Sequence, residues 1–289
     1  MMLITGAAGK TGQAILKALA SSDEGVRVLV RREAQAVELR ALGAHEIVAG
    51  DMADAEVLRK SCAGVRVVYH ICPNMSPDEV AIGERAIKAA QQAGVEHFVY
   101  HSVLHPQVQE MPHHWNKLQV EALLFKSGLN YTILQPASYM QNISGYWQKM
   151  LTDGVYAVPY STDAKFSMLD LDDLAQAAAI VIRDSRNHYQ ATYELCGAQI
   201  LSSADIAKLS AEFIKKPVQA VELDRTDWDR NARAGGMDDF SRSTLLSMFN
   251  YYHHYGFSGS ANALTTLLGR SPTRFEEYLA RFLKNTLPN

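Results

Sequence analysis

The sequence predicts an α/β fold, a doubly wound parallel sheet joined to a smaller, mainly helical C-terminal lobe. Three observations carry this reading. Short β-rich runs alternate regularly with helical patterns through the first half of the chain, and the connections between them are short. Runs such as "VRVLV" and "VRVVYHIC" are nearly continuous in apolar, β-branched character, as strands covered on both faces are. Regular β-α alternation implies a parallel sheet, and the right-handed crossover rule leaves few topologies.

In chain order, strands are expected at Met2–Thr5, Val26–Arg31, His45–Ala49, Arg66–Cys72, Glu96–Ser102 and Asn130–Gln135. Helices are expected near Lys10–Ser21, Arg32–Leu42, Asp54–Cys62, Pro77–Ala93 and His113–Lys126. Gly43, Gly94 and Gly128 follow helical patterns and supply C-terminal stops. After Pro136 the alternation loosens. "LDLDDLAQAAAIVIRD" reads as a helix, "ATYELCG" as a strand, and "SSADIAKLSAEFIKK" as a helix with a serine cap; residues from Asp224 onward are mostly helical. The expected division is residues 1–150 as the sheet domain and 151–289 as the smaller lobe. Some segments of that lobe return to the sheet, and the lobe is expected over the sheet's carboxyl edge.

Composition excludes several classes. The chain has 289 residues, 47% hydrophobic and 20% charged, with net charge -3 and a pI near 6.4. Such a balance gives no chain-wide attraction to polyanions, so no direct nucleic-acid partner is expected. Three separated cysteines, Cys62, Cys72 and Cys196, form no C-x-x-C pair, which argues against a zinc site and a disulfide framework. A reducing, cytoplasmic location is expected. The N-terminus lacks the pattern of a signal peptide, and no run of 18 apolar residues suggests a membrane span. Neighbouring His253 and His254 have no carboxylate at helical spacing, so no metal site is expected there either.

"TGAAGKTG", Thr5 to Gly12, lies at the first strand-to-helix junction. Its Gly-Lys-Thr resembles the end of a triphosphate loop, but the leading glycine of G-x-x-x-x-G-K-[ST] would fall on Ile4, inside the strand. Gly6, Gly9 and Gly12 instead have the register of a dinucleotide loop. The first permits the tight turn, the second lets a pyrophosphate approach the backbone, and the third allows close helix–strand packing. The N–H groups of Ala8, Lys10 and Thr11 lie in the same stretch, where a helix start binds anions. Arg31 and Arg32 end the second strand, where NAD binders usually carry an acidic residue. A forked guanidinium suits a 2′-phosphate, so the pair points to NADP(H), against the alternative of a solvated basic pair at a helix start. Glu33 is the residue that would serve NAD instead. Asp51 and Met52 follow the third strand, placed either to flank an adenine or to form a turn, and Asp54 reads as a helix N-cap. Cys72 and Pro73, at the end of the fourth expected strand, are expected to join the cofactor contacts.

Together "ITGAAGKTG", "VRVLVRR", "VAGDMAD", "AGVEHFVYHSV", "HHWNKLQVEALLFKSGLNYTILQPASYMQN" and "LLGRSPTRFEEYLARF" resemble the NmrA-like branch of the atypical short-chain dehydrogenases. The resemblance spans nearly the whole chain. It implies a Rossmann domain with a small C-terminal lobe and NADP(H) in the cleft between them. Some members of the family resemble NADPH-dependent quinone, dye or phenylpropanoid reductases; others bind the cofactor as redox sensors that regulate transcription factors without turnover.

Conventional short-chain dehydrogenases use Tyr-x-x-x-Lys, in which lysine lowers the tyrosine pKa and holds the ribose. No tyrosine of this chain has lysine four positions later. His113 instead precedes Lys117 by four on a predicted helix, so the two share a face. The resemblance implies that Lys117 contacts the nicotinamide ribose. His113 is either a proton donor or a solvated capping residue, and Ser102 either touches cofactor or substrate or caps its strand. Pro136 and Ala137 would run beside the nicotinamide, with Tyr139, Met140 and Asn142 facing the substrate and the Tyr139 phenol as another candidate donor. The chain departs from the family at Gln135, Tyr139 and Gln141, where Arg, Phe and Glu are frequent. The function expected is hydride transfer from NADPH to a small planar acceptor such as a quinone. The alternative is a non-catalytic NADP(H) sensor that acts on a regulatory protein. Sugar-nucleotide epimerase chemistry is disfavoured by the missing Tyr-x-x-x-Lys.

Overall fold

The computed structural model describes residues 1–22 and 24–286. Its elements in chain order begin with β1 (Met2–Ile4), α1 (Lys10–Leu19), β2 (Val26–Val30), α2 (Ala36–Ala41), β3 (Glu46–Ala49) and α3 (Ala55–Cys62). They continue with β4 (Val67–His70), α4 (Glu79–Ala93), β5 (His97–His101), α5 (Pro112–Phe125) and β6 (Tyr131–Pro136). The rest comprises β7 (Ser138–Tyr139), α6 (Ser144–Asp153), β8 (Val155–Val158), β9 (Lys165–Leu169), α7 (Leu171–Arg183), β10 (Ala191–Leu195), β11 (Ile200–Ser202) and α8 (Ser203–Ile214). It closes with β12 (Gln219–Glu222), α9 (Arg225–Ala234), α10 (Asp239–Tyr255), α11 (Asn262–Leu268) and α12 (Phe275–Thr286).

Two compact units result: Met1–Gln109, His113–Pro136 and Leu174–Tyr193 form the first, and Glu110–Pro112, Ala137–Asp173 and Glu194–Asn289 the second. The first holds the doubly wound Rossmann sheet. Seven strands lie in the order β10-β6-β5-β4-β1-β2-β3. β1 pairs in parallel with both β2 and β4, so the strand order reverses there. Every residue of β4 and β5 is buried, which explains their unbroken apolar runs and obliges each polar side chain in them to find a partner. Arg32 is extended and is followed by a 3-10 turn over Glu33–Gln35, so the second helix starts only at Ala36.

Helices α4 and α5 pack close to one another because of a single glycine. A Cβ on Gly83 would lie 2.7 Å from both γ-methyls of Val120 on α5. Glu79 lies one turn before Gly83 on the same face of α4, and Lys117 precedes Val120 on α5. The close approach at Gly83 thus brings the amino-terminal part of α4 against the first turns of α5.

In the second unit, β11 is antiparallel to β9, β7 is parallel to β9, and β12 is parallel to β8. The Ser202 hydroxyl accepts the Asp205 N–H at 3.1 Å and caps α8 as its sequence predicts. Tyr160, Phe166, Tyr252 and Phe257 pack ring against ring at 5.0–6.0 Å, which assigns Tyr252 and Phe257 of the aromatic run near 250 to the core of this unit, while Tyr255 of the same run is exposed. Among the described residues no helix is long and apolar enough to cross a membrane.

Candidate cofactor site

In open α/β sheets, ligands bind outside the carboxyl ends of the strands, at the point where strand order reverses. Here that point lies between β1 and β4. The Thr5 hydroxyl, at the end of β1, donates to the Ile71 carbonyl at 3.1 Å and accepts the Ile71 N–H at 2.9 Å. His70 Nδ1 lies 3.0 Å from the same oxygen; with the hydroxyl proton committed to Ile71, the imidazole is the donor. The two strand ends are therefore locked together directly beneath the glycine loop.

Each glycine of that loop has a distinct steric reason. Gly6 has φ +61°, and a Cβ there would meet the Ile71 carbonyl oxygen at 2.9 Å. A Cβ on Gly12 would lie 2.5 Å from Ala7 Cα, so only glycine lets α1 start against the strand end. Gly9 is different. It is exposed, and its Cβ would meet only the Gly6 carbonyl, at 3.4 Å. The protein's own packing does not require glycine at that position, whereas a phosphate group pressed against the backbone does. Gly9 is also the N-cap of α1 and gives no side-chain cap bond, leaving the helix start for an anion. These features fit a dinucleotide pyrophosphate.

Around the loop, Ala8 and Thr11 are half-buried and Lys10 is exposed. Arg31 and Arg32 are exposed at the carboxyl end of β2, and among the described residues nothing pairs with the Arg31 guanidinium. Asp51 is exposed and accepts the Ala53 N–H at 2.8 Å, which makes it a turn residue, while Asp54 caps α3 through the Glu56 N–H. The Met52 side chain is buried in the core of this unit. Cys72 is buried and Pro73 half-buried just past β4. Burial, then the charge of Glu79, raises the Cys72 thiol far above its ordinary value.

A second polar knot lies at the ends of β4 and β5. Lys117 Nζ donates to Glu79 Oε1 at 3.0 Å and to the His101 carbonyl at 3.1 Å. The Tyr100 hydroxyl donates to the same Glu79 oxygen at 2.9 Å, and Lys117 Nζ sits 5.4 Å from the centre of the Tyr100 ring. A tyrosine and a lysine thus meet in space without the Tyr-x-x-x-Lys spacing, but with the opposite electrostatics. Burial, then the Glu79 carboxylate, holds the Tyr100 phenol well above its usual range, so it is not an activated proton donor. Tyr69 and His101 form a further pair, with hydroxyl and Nδ1 2.8 Å apart.

The histidines here are buried and neutral. Burial, reinforced by the Lys117 charge, pushes His70 and His101 down to about 3. The same two causes hold His113 well below its ordinary range, and burial brings His114 to about 4. Both are therefore buried residues, not solvated caps, and a neutral His113 holds no imidazolium proton at pH 7. Ser102 donates to Glu121, and Gln135 Nε2 donates to both oxygens of that carboxylate, at 2.9 and 3.1 Å. The Ser102 hydroxyl is thereby engaged in the protein interior. Pro136 is buried at the end of β6, its carbonyl accepting the Leu104 N–H at 3.0 Å.

Tyr139 belongs to the second unit, half-buried on β7 and paired with Leu169. There Met140 is buried and Asn142 exposed, while Gln141 donates to Asp170 at 2.8 Å and accepts the Leu171 N–H, bracketing the start of α7. Glu79 belongs to no motif, and Tyr100, His101 and Glu121 lie in quoted stretches that assign them no role. Their signal in the sequence is weaker: polar residues inside doubly covered strands, and an acidic residue at the start of a helix.

The glycine loop at the reversal of a doubly wound sheet defines a dinucleotide-binding protein of the Rossmann class. Within that class the chain belongs to the NmrA-like family, whose model matches residues 1–279. It is 27% identical over 283 residues to the NAD(P)H azoreductase of Xenophilus azovorans, covering 96% of each chain. Over 282 residues it is 27% identical to quinone oxidoreductase 2 of Escherichia coli K12, again covering 96% of each. The crystal structure of an NADPH-dependent quinone oxidoreductase from Escherichia coli, complexed with NADPH, superposes with a TM-score of 0.87 at 25% identity, covering 98% of this chain and 100% of that one.

Proposed function

We infer that this protein is an NADPH-dependent oxidoreductase that passes hydride to a small planar acceptor such as a quinone. The observation that carries the reading is the glycine cradle at the β1/β4 reversal, open at Gly9 and closed to side chains at Gly6 and Gly12. Full-length similarity to the azoreductase and the quinone oxidoreductase supports it. When bound, NADPH supplies the hydride from its nicotinamide ring. The chain's own contribution is binding, orientation and exclusion of water. The N-terminus of α1 holds the pyrophosphate, Arg31 and Arg32 receive the 2′-phosphate, and Lys117 places a positive charge at the carboxyl end of β5 near the nicotinamide ribose. Met52, with its side chain in the core, and Ser102, engaged with Glu121, support the shape of the site more than they contact the ligand.

An easily reduced acceptor suits this arrangement, because burial makes the Tyr100 phenol a weaker acid than usual and leaves His113 without an imidazolium proton at neutral pH. The same observation favours a second reading, a cofactor-binding redox sensor without turnover that acts on a regulatory protein. Steady-state NADPH oxidation against a panel of quinones and azo dyes separates them. Acceptor-dependent oxidation is expected; tight binding that discriminates NADP+ from NADPH, with no turnover on any acceptor, would overturn the enzyme reading.

A further inference from the structure

We propose that Glu79 is the positioning residue of the cofactor site, a buried carboxylate that holds Lys117 in place through one oxygen shared with Tyr100. This rests on the reading of Lys117 as a cofactor contact, and adds a residue that no motif marks. Glu79 is fully buried and Lys117 nearly so, with side-chain exposures of 0% and 6%. A charge pair this dry is not retained as surface decoration, since each ion gives up its hydration. The ammonium has three N–H donors; Glu79 Oε1 and the His101 carbonyl take two, and among the described residues no partner takes the third. The helix α4 side and the β5 side each supply one acceptor, so the Nζ position is fixed from two directions and one donor stays available to a ligand.

Tyr100 completes the clamp from β5. Its hydroxyl bonds to Glu79 Oε1, which fixes the carboxylate rotamer, while its ring lies under the ammonium. Gly83 provides the necessary approach of the helices, since any side chain there would press Val120 away. Glu79 touches no reacting atom; it acts through Lys117.

A double-mutant cycle on NADPH affinity tests this, with the dissociation constant measured by calorimetry for the wild type, Glu79→Gln, Lys117→Met and the double variant. Glu79→Gln keeps size and an acceptor oxygen but removes the charge. Each single variant is expected to weaken NADPH binding about tenfold or more, the scale of one charge-assisted hydrogen bond. The double variant is expected to bind no more weakly than Lys117→Met alone, because Glu79 has nothing left to position. In turnover, Glu79→Gln should raise the KM for NADPH and leave that for the acceptor unchanged. Tyr100→Phe, which leaves the ion pair intact, should give an intermediate loss and provides the same comparison should Glu79→Gln fold poorly. Losses that multiply in the double variant, or wild-type affinity in Glu79→Gln, would overturn the role of Glu79. Unchanged affinity in Lys117→Met would remove Lys117, and Glu79 with it, while wild-type binding of NADPH keeps the cofactor reading. A wild type that binds no NADPH overturns both.

Discussion

Lys117 Nζ and Glu79 Oε1 lie 3.0 Å apart, both side chains out of water, and Glu79 Oε1 is also the acceptor of the Tyr100 hydroxyl. One oxygen thus ties the start of α4 to β5 and α5. The pair has a stability consequence separate from any ligand. Lys117→Met strands a buried carboxylate and should cost about 3–5 kcal/mol, while removing both charges together should recover most of that loss. Urea unfolding of the single and double variants measures it; equal losses in both would mean the carboxylate is not paired in solution.

Acid should destabilise the first unit. His70 and His101 at about 3, and His97 and His114 at about 4, stay neutral when folded but gain protons when unfolded, near pH 6.5. The folded pKa values are depressed, so the unfolded state binds more protons as pH falls, and stability is lost from about pH 6.5 down to about 4 for His97 and His114 and about 3 for His70 and His101. At pH 5 each such histidine should cost up to about 2 kcal/mol. Denaturation midpoints at pH 7 and pH 5 test this, and His70→Asn should reduce the difference. A stability independent of pH over that range would contradict the burial of these rings.

The glycine loop offers an internal contrast. Gly12→Ala must overlap Ala7 and should cost about 2 kcal/mol or more, whereas Gly9→Ala has room and should leave the melting temperature nearly unchanged. NADPH affinity should nevertheless fall in Gly9→Ala, because its methyl group points where the phosphate must approach. A Gly9→Ala protein with wild-type affinity would place the pyrophosphate elsewhere.

Gly83→Ala should separate α4 from α5 by overlap with Val120. We expect a loss of about 1–3 kcal/mol and weaker NADPH binding, the second through displacement of Glu79 from Lys117. Thermal melts together with calorimetry give both values. Wild-type behaviour in both would show that the helices tolerate the extra carbon.

Much of this architecture can be read directly from local chemistry. Apolar runs mark β4 and β5, Gly6, Gly9 and Gly12 state their register, and Asp54 and Ser202 announce their helices as caps. Ile4 alone excludes a triphosphate loop. The Lys117 environment is another matter. Glu79 lies 38 residues away along the chain, and the contact depends on Gly83 setting the distance between two helices. A search for Tyr-x-x-x-Lys cannot find Tyr100 beside Lys117, because the two meet across different elements. Met52 illustrates the converse: its position beside the expected adenine site is clear from sequence, but which way its side chain turns depends on core packing that no local pattern encodes. His113 and His114, beside Pro112, read equally well as solvated caps until the burial of α5 is seen.

Arg31 carries the expected preference for the phosphorylated cofactor. Arg31→Asp should weaken NADPH binding at least about tenfold and improve NADH binding, by removing a 2′-phosphate partner and supplying an acceptor for a ribose hydroxyl. Unchanged NADPH affinity would remove Arg31 from the site.

The most direct measurement is a paired calorimetric titration of the wild-type protein with NADPH and with NADH. One NADPH should bind per chain, with NADH at least about tenfold weaker. Absence of NADPH binding, or equal affinity for the two nucleotides, would contradict it.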